Sequence, residues 1–113
     1  MEEIYRRMAQ LLEEGRSFTL ATVTSTKGST PRKAGTKMLV LEDGAIVGTI
    51  GGGCGEAEVW QTAMGVLQRG GSALITLDMT EEAAADAGMI CGGVMDVFIE
   101  RVEPERGILK KGA

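Results

Sequence analysis

A mixed α/β chain, in which helices pack on a mixed β-sheet of about five strands (an α+β arrangement in the broad sense), is the fold class the sequence predicts. Three observations predict it. The N-terminus carries an amphipathic helical pattern, an Asp-Gly step separates two apolar runs, and a glycine run leads from a strand pattern into a second helical pattern. The hairpin demands antiparallel pairing, whereas the strand–helix–strand order favours a parallel crossover, so the sheet is expected to be mixed.

Each element has its own signal. In residues 3–14, Ile4, Met8, Leu11 and Leu12 fall on one face of a 3.6-residue period, and Gly15 follows as a stop. Residues 18–24 form an uncharged β-rich run, and residues 25–35 read as a polar loop with Lys27, Arg32 and Lys33. Strands are expected over 36–42 and 45–50, joined at Asp43-Gly44, where both turn residues would take positive φ. A helix is expected over 56–69, with Trp60, Ala63, Met64 and Leu67 as its buried stripe. Glu56 and Glu58 in its first turn and Arg69 in its last complement the helix dipole. Residues 72–78 are the next strand, and the apolar Ala73-Leu74-Ile75 places it inside the sheet. Thr80 would cap a short helix through Ala87, and residues 94–102 form the last strand. A single domain over 1–113 is expected, with residues 104–113 as a flexible tail.

Composition removes several functions. The chain has 113 residues and a formal charge of −4, which argues against nucleic-acid binding driven by bulk positive charge. There is no histidine, hence no His general base, no Ser-His or Cys-His couple and no His-ligated zinc. Two cysteines, Cys54 and Cys91, are too few for a disulfide scaffold. No run approaches the roughly eighteen apolar residues of a membrane span, and the acidic start is unlike a signal peptide. A cytoplasmic protein, away from membranes and nucleic acids, is the expectation. Seventeen glycines, roughly twice the usual share, are clustered rather than scattered.

Three glycine-bearing segments could carry chemistry. In Gly28-Ser29-Thr30-Pro31-Arg32, Pro31 stiffens a loop that presents two hydroxyls and a guanidinium beside Lys27 and Lys33. That cluster suits phosphate or another planar oxyanion, and its alternative is an ordinary solvated loop. In Gly48-Thr49-Ile50-Gly51-Gly52-Gly53-Cys54-Gly55-Glu56, a glycine run follows a strand and opens a helix, so backbone N–H groups and a thiol of lowered pKa could meet a ligand. Neither the dinucleotide fingerprint nor the Walker spacing fits, and Glu56 would repel a phosphate at that helix end. The alternative is that these glycines only permit close packing around an inert thiol. Cys91-Gly92-Gly93 repeats the pattern before a strand. If both thiols faced one cleft they could form a disulfide, hold a soft metal or receive a sulfur atom. Asp96 and Glu100 read as solvent-facing, and Met38, Met64, Met79, Met89 and Met95 as core filler.

Taken together, the three segments, with Gly35, Met38 and Val97-Phe98-Ile99-Glu100, resemble the XdhC/CoxI family of accessory factors for xanthine dehydrogenase, carbon monoxide dehydrogenase and related molybdenum hydroxylases. The likeness spans residues 5–103, the N-terminal domain of that family. The resemblance implies a non-catalytic maturation factor. Such a factor transiently binds the molybdenum cofactor (molybdopterin), shelters it while a terminal sulfido ligand is installed, and hands it to the apo-hydroxylase. Carried over by motif, the cofactor-binding positions are Ser29, Thr30, Arg32, Lys33, Gly51, Gly52, Gly53, Cys54, Glu56, Cys91, Gly92 and Gly93. Members often have a side chain where this chain has Gly55, which would leave a roomier pocket. The implied partners are the hydroxylase apoenzyme, a cysteine desulfurase and a separate Rossmann-domain protein, because members continue into a Rossmann-like domain that this sequence does not include. Self-association to cover a sheet edge is a further expectation. Two other functions stay open. One is a regulatory or docking module without ligand, and the other is a persulfide-carrying sulfurtransferase component that uses Cys54.

Overall fold

The computed structural model describes residues 2–30, 32–50, 55–80 and 92–104. Its elements run α1 (Glu2–Glu13), β1 (Phe18–Gly28), β2 (Lys37–Leu41), β3 (Ile46–Gly48), α2 (Glu56–Arg69), β4 (Ser72–Asp78) and β5 (Gly93–Val102). The five strands form one sheet in the order β3-β2-β1-β5-β4. The α+β class therefore holds, but every ladder is antiparallel. Among the described residues the parallel neighbours expected of a mixed sheet do not form. The registers make β3 and β4 run the same way, as the crossover through α2 predicts, yet α2 carries the chain from one sheet edge to the other, and three strands lie between them.

Strand alternation divides the apolar residues between two faces. On one face Ala21, Val23, Met38, Val40, Met95, Val97 and Ile99 pack under Val59, Ala63 and Val66 of α2. On the other, Ile4 and Leu11 of α1 close over Phe18, Leu20, Leu39 and Leu41. The α2 stripe is rotated slightly from expectation. Val59 and Val66 are buried while Trp60 and Met64 are only partly so, and the Trp60 indole N–H instead donates to the Gly44 carbonyl at 2.9 Å. Met38, Met79 and Met95 are core residues, as expected.

The Asp43-Gly44 hairpin forms with a different turn. Gly44 N–H donates to the Leu41 carbonyl at 2.8 Å and Leu41 N–H to the Ala45 carbonyl at 2.9 Å, and only Gly44 has positive φ, 88°. This is a three-residue loop closed by a glycine bulge, so Asp43 is spared the left-handed conformation that a two-residue loop would require. Its carboxylate accepts from the Ala45 N–H at 3.0 Å.

Two strand readings are corrected. The segment 25–28 is strand rather than loop, because after a bulge between Val23 and Ser25 the chain keeps pairing with β5 out to Gly28. Among the described residues β4 is an edge strand rather than an interior one. Its odd residues face α2, but Leu74 points to the opposite face, outside the cluster that α1 forms with β1, β2, Val47 and Val102, and it stays 65% exposed. The expected short helix after Thr80 and the expected tail beyond Pro104 lie outside the described residues.

Candidate functional site

The antiparallel registers bring one end of every strand to the same end of the sheet. β1 stops there at Gly28, β3 at Gly48 and β4 at Asp78, while β5 starts there at Gly93 and β2 at Lys37. The first and third glycine segments meet directly, for Gly28 and Gly93 are the last register pair of β1 and β5. A Cβ on Gly28 would lie 3.0 Å from the Gly92 carbonyl oxygen. A Cβ on Gly93 would lie 2.5 Å from the Ser29 carbonyl oxygen and 2.6 Å from Cγ2 of Thr30. Glycine is required at this crossing because the backbone after Gly28 lies against the backbone entering β5.

The second segment reaches the same end through β4. A Cβ on Gly55, the residue before α2, would stand 2.8 Å from Cδ1 of Leu77. Two residues beyond Leu77, the Met79 N–H donates to the Gly93 carbonyl at 2.8 Å, and the Gly92 N–H donates to the Met79 carbonyl at 2.7 Å. The space that a Cβ on Gly55 would take is thus occupied by Leu77. Thr49 and Glu56 flank the glycine run, and the Thr49 hydroxyl donates to the Glu56 carboxylate. Glu56 therefore ties the two ends of that run together. Gly51, Gly52, Gly53, Cys54 and Cys91 lie outside the described residues.

The loop after Gly28 supplies the charge. The Thr30 hydroxyl donates to the Arg32 carbonyl at 3.0 Å, which shapes the loop from within. Its far end returns to β1, where Gly35 N–H donates to the Val23 carbonyl at 2.7 Å and Val23 N–H to the Thr36 carbonyl at 2.9 Å. Ser29, Arg32 and Lys33 are exposed, and neither cation makes an ion pair among the described residues. A loop tied back to β1 that presents a hydroxyl, a guanidinium and an ammonium is suited to an oxyanion. Among the described residues no cluster of Cys, Asp and Glu could hold a metal ion.

A second polar group was not legible in sequence. Asp96 accepts from Thr76 Oγ1 through Oδ1 and from Ser25 Oγ through Oδ2, both at 2.7 Å, across three strands. The Thr76 hydroxyl, then the Ser25 hydroxyl and more weakly the Lys27 charge, hold its carboxyl below the usual aspartate range. No spacing signals this, since only the register of β1, β5 and β4 brings the three together. A depressed folded-state pKa contributes stability that is present above the unfolded value and is lost as pH falls through the folded one. Unfolding measured from pH 6 down to about pH 3 should therefore show an acid-side loss of stability that Asp96→Asn reduces. An unchanged acid limb in that variant would contradict the assignment.

Residues 11–78 match the model of the XdhC and CoxI family. The chain belongs to that family. Within it, the chain is 41% identical over 96 residues to the uncharacterized protein YqeB of Escherichia coli K12, which covers 85% of this chain and 18% of that protein. It is 34% identical over 108 residues to a probable xanthine dehydrogenase subunit of Bacillus subtilis 168, covering 94% of this chain and 33% of that one. The crystal structure of a xanthine dehydrogenase from Bacillus halodurans superposes with a TM-score of 0.71 at 32% identity, over 83% of this chain and 30% of that chain. This XdhC and CoxI family chain thus spans a third or less of the length of each. No helix among the described residues is long and apolar enough to cross a membrane.

Proposed function

We propose that this chain serves in the maturation of a molybdenum hydroxylase of the xanthine dehydrogenase type, holding the molybdenum cofactor as cargo at the glycine-lined end of the sheet. One observation supports this above the others. Parts of three glycine motifs, far apart in sequence, meet at one sheet end, and Arg32 and Lys33 stand unpaired beside them among the described residues. Family membership and the name of the Bacillus subtilis relative support the choice of client enzyme.

The residues present fit the phosphate-bearing end of such a cargo. Arg32 can offer a planar pair of N–H donors to phosphate oxygens, Lys33 a second positive charge, and Ser29 a hydroxyl. Thr30 holds the loop by its bond to the Arg32 carbonyl, and Glu56 closes the glycine run through Thr49. Close backbone packing at Gly28 and Gly93, where a Cβ would collide with Gly92, Ser29 and Thr30, seats the loop that carries Ser29 and Arg32 against the start of β5. The cargo supplies the molybdenum–dithiolene chemistry that the client enzyme uses. Cys54 and Cys91 are the candidate sulfur contacts, and a cysteine desulfurase and a Rossmann-domain polypeptide are the further partners of this proposal.

Anaerobic co-expression with cofactor biosynthesis, followed by fluorimetric pterin assay of the purified protein, tests it. Close to one pterin per chain is expected. Absence of pterin under those conditions, with the protein folded, would remove the proposal.

A further inference from the structure

On the face of the sheet opposite α2, the cluster beneath α1 takes in Phe18, Leu20, Leu39, Leu41, Val47 and Val102. Asp96 and Phe98 of β5 share that face by strand alternation but lie outside the cluster, as do their β4 register partners Thr76 and Leu74. Asp96 is held from both sides. Its two carboxylate oxygens accept from Ser25 of β1 and Thr76 of β4, and the Thr24 hydroxyl donates to its backbone carbonyl at 3.3 Å. The flanking strands thereby fix the plane of the carboxylate. An ionised carboxylate has about four acceptor positions, so two hydroxyls leave it unsaturated. Among the described residues no cation forms an ion pair with it, and Lys27 acts on it only at longer range.

Two residues along β5, Phe98 is half-buried and stands beside Leu74, which is 65% exposed. A simple cation would need the carboxylate but not the aromatic wall, and an apolar ligand would cover the carboxylate without pairing it. A flat ring whose edge carries two adjacent N–H donors satisfies both. Position along the strand narrows the choice. From Asp96 to Gly93 is three residues of β5, about 10 Å, and Gly93 packs against Ser29 and Thr30 of the cationic loop. Lys27 and Lys37 stand on the same face at the two feet of that loop, so positive charge continues from Arg32 and Lys33 toward Asp96. A pterin with a phosphate arm carries its paired donors, N3–H and the 2-amino group, at one end and its phosphate at the other, on the order of 10 Å apart by ordinary bond lengths.

We infer that Asp96 is the pterin-recognition residue of this chain: its carboxylate accepts from N3–H and the 2-amino group, the ring lies against Phe98, and the phosphate reaches the Arg32 loop. The choice of ligand rests on the cargo proposed above. What is added is a binding position for the ring, on a sheet face that the glycine motifs do not define, and a chemical reason for selecting a 2-amino-4-oxo ring over its relatives. Ser25 and Thr76 are positioning residues here, because they orient the carboxylate and do not touch the ring.

Equilibrium dialysis of the full chain against 6-hydroxymethylpterin phosphate tests this, compared with the corresponding lumazine, in which a carbonyl replaces the 2-amino group. The wild type should prefer the pterin by roughly tenfold or more, because the lumazine sets an acceptor oxygen against the carboxylate. Asp96→Asn should abolish that preference, whereas Arg32→Ala should weaken both ligands and keep it. Phe98→Leu retains an apolar side chain but removes the stacking face, and should weaken both ligands about threefold with the circular dichroism spectrum unchanged. Equal wild-type affinity for the two rings, or a preference that survives Asp96→Asn, would overturn the inference. Methylguanidinium offers the same paired donors without the ring; if it displaces the pterin phosphate at equal concentration, the carboxylate is a site for a partner's arginine and the pterin assignment falls. These measurements involve neither molybdenum nor a client enzyme, so their failure leaves the co-expression result standing. Conversely, ring discrimination that persists in a chain carrying no cofactor after co-expression would remove the maturation proposal and support this one.

Discussion

Replacing Gly93 by alanine is expected to destabilise the fold by roughly 2–3 kcal/mol, the cost of forcing a group into a site with no free volume. The new Cβ would lie 2.5 Å from the Ser29 carbonyl oxygen and 2.8 Å from the Lys27 carbonyl oxygen, both main-chain atoms, as well as 2.6 Å from Thr30 Cγ2. A flexible side chain could swing away, but a carbonyl at the end of β1 moves only if the β1–β5 ladder opens. That ladder is the central pairing of the sheet, so the strain spreads to the core beneath Val97 and Val23. A melting temperature lowered by about 10–20 °C follows for a domain of this size. Gly35→Ala is the contrasting variant. Its Cβ would meet nothing within 4 Å, so only the positive φ of 95° is penalised, at about 1 kcal/mol. Urea midpoints at equal m-value measure both. A Gly93→Ala midpoint equal to that of wild type would mean the crossing at Ser29 is looser than the contacts imply.

The sequence was most informative where glycine punctuates hydrophobic periodicity. The bounds of α2 and β4 are those the pattern predicts, because Gly55 precedes the helix and Gly70-Gly71 separates the two elements. The hairpin was legible from Asp43-Gly44 for the same reason, although the turn geometry was not. Local pattern failed where long-range pairing decides. Ser25, Thr26 and Lys27 are polar enough to read as loop, yet β5 pairs with them and extends β1. Ala73-Leu74-Ile75 looks like an interior strand, but three apolar residues in a row must present one to each face in turn, and among the described residues only the α2 face of β4 is covered. The candidate site was legible as three motifs and illegible as one place. Nothing in the spacing of Gly28 and Gly93 says that they are register partners, and the Ser25–Asp96–Thr76 group is likewise a product of the ladders alone.

Arg32→Ala is expected to have the largest effect on cargo retention, lowering pterin affinity about 10- to 100-fold, the range set by loss of a charged hydrogen bond of roughly 1.5–3 kcal/mol. Arg32 is exposed and makes no ion pair among the described residues, so its charge is not already engaged by an internal partner there. The Thr30 hydroxyl holds the Arg32 backbone, and the returning Gly35–Val23 bond fixes the loop to β1, which limits the ordering entropy lost when the guanidinium engages phosphate. Lys33→Ala should cost less, because a point charge on a flexible stem gives one mobile contact where a guanidinium gives two in a fixed plane. Arg32→Lys should accordingly restore only part of the affinity, and raising salt should weaken the wild type more than the alanine variant. Because the side chain is solvated, stability should change by no more than about 0.5 kcal/mol, so a fall in bound pterin cannot be ascribed to unfolding. Pterin bound per chain, titrated at fixed salt for wild type and the three variants, gives the ranking. Equal retention by Arg32→Ala and wild type would move the phosphate contact away from this loop and leave the glycine crossings with a packing role alone.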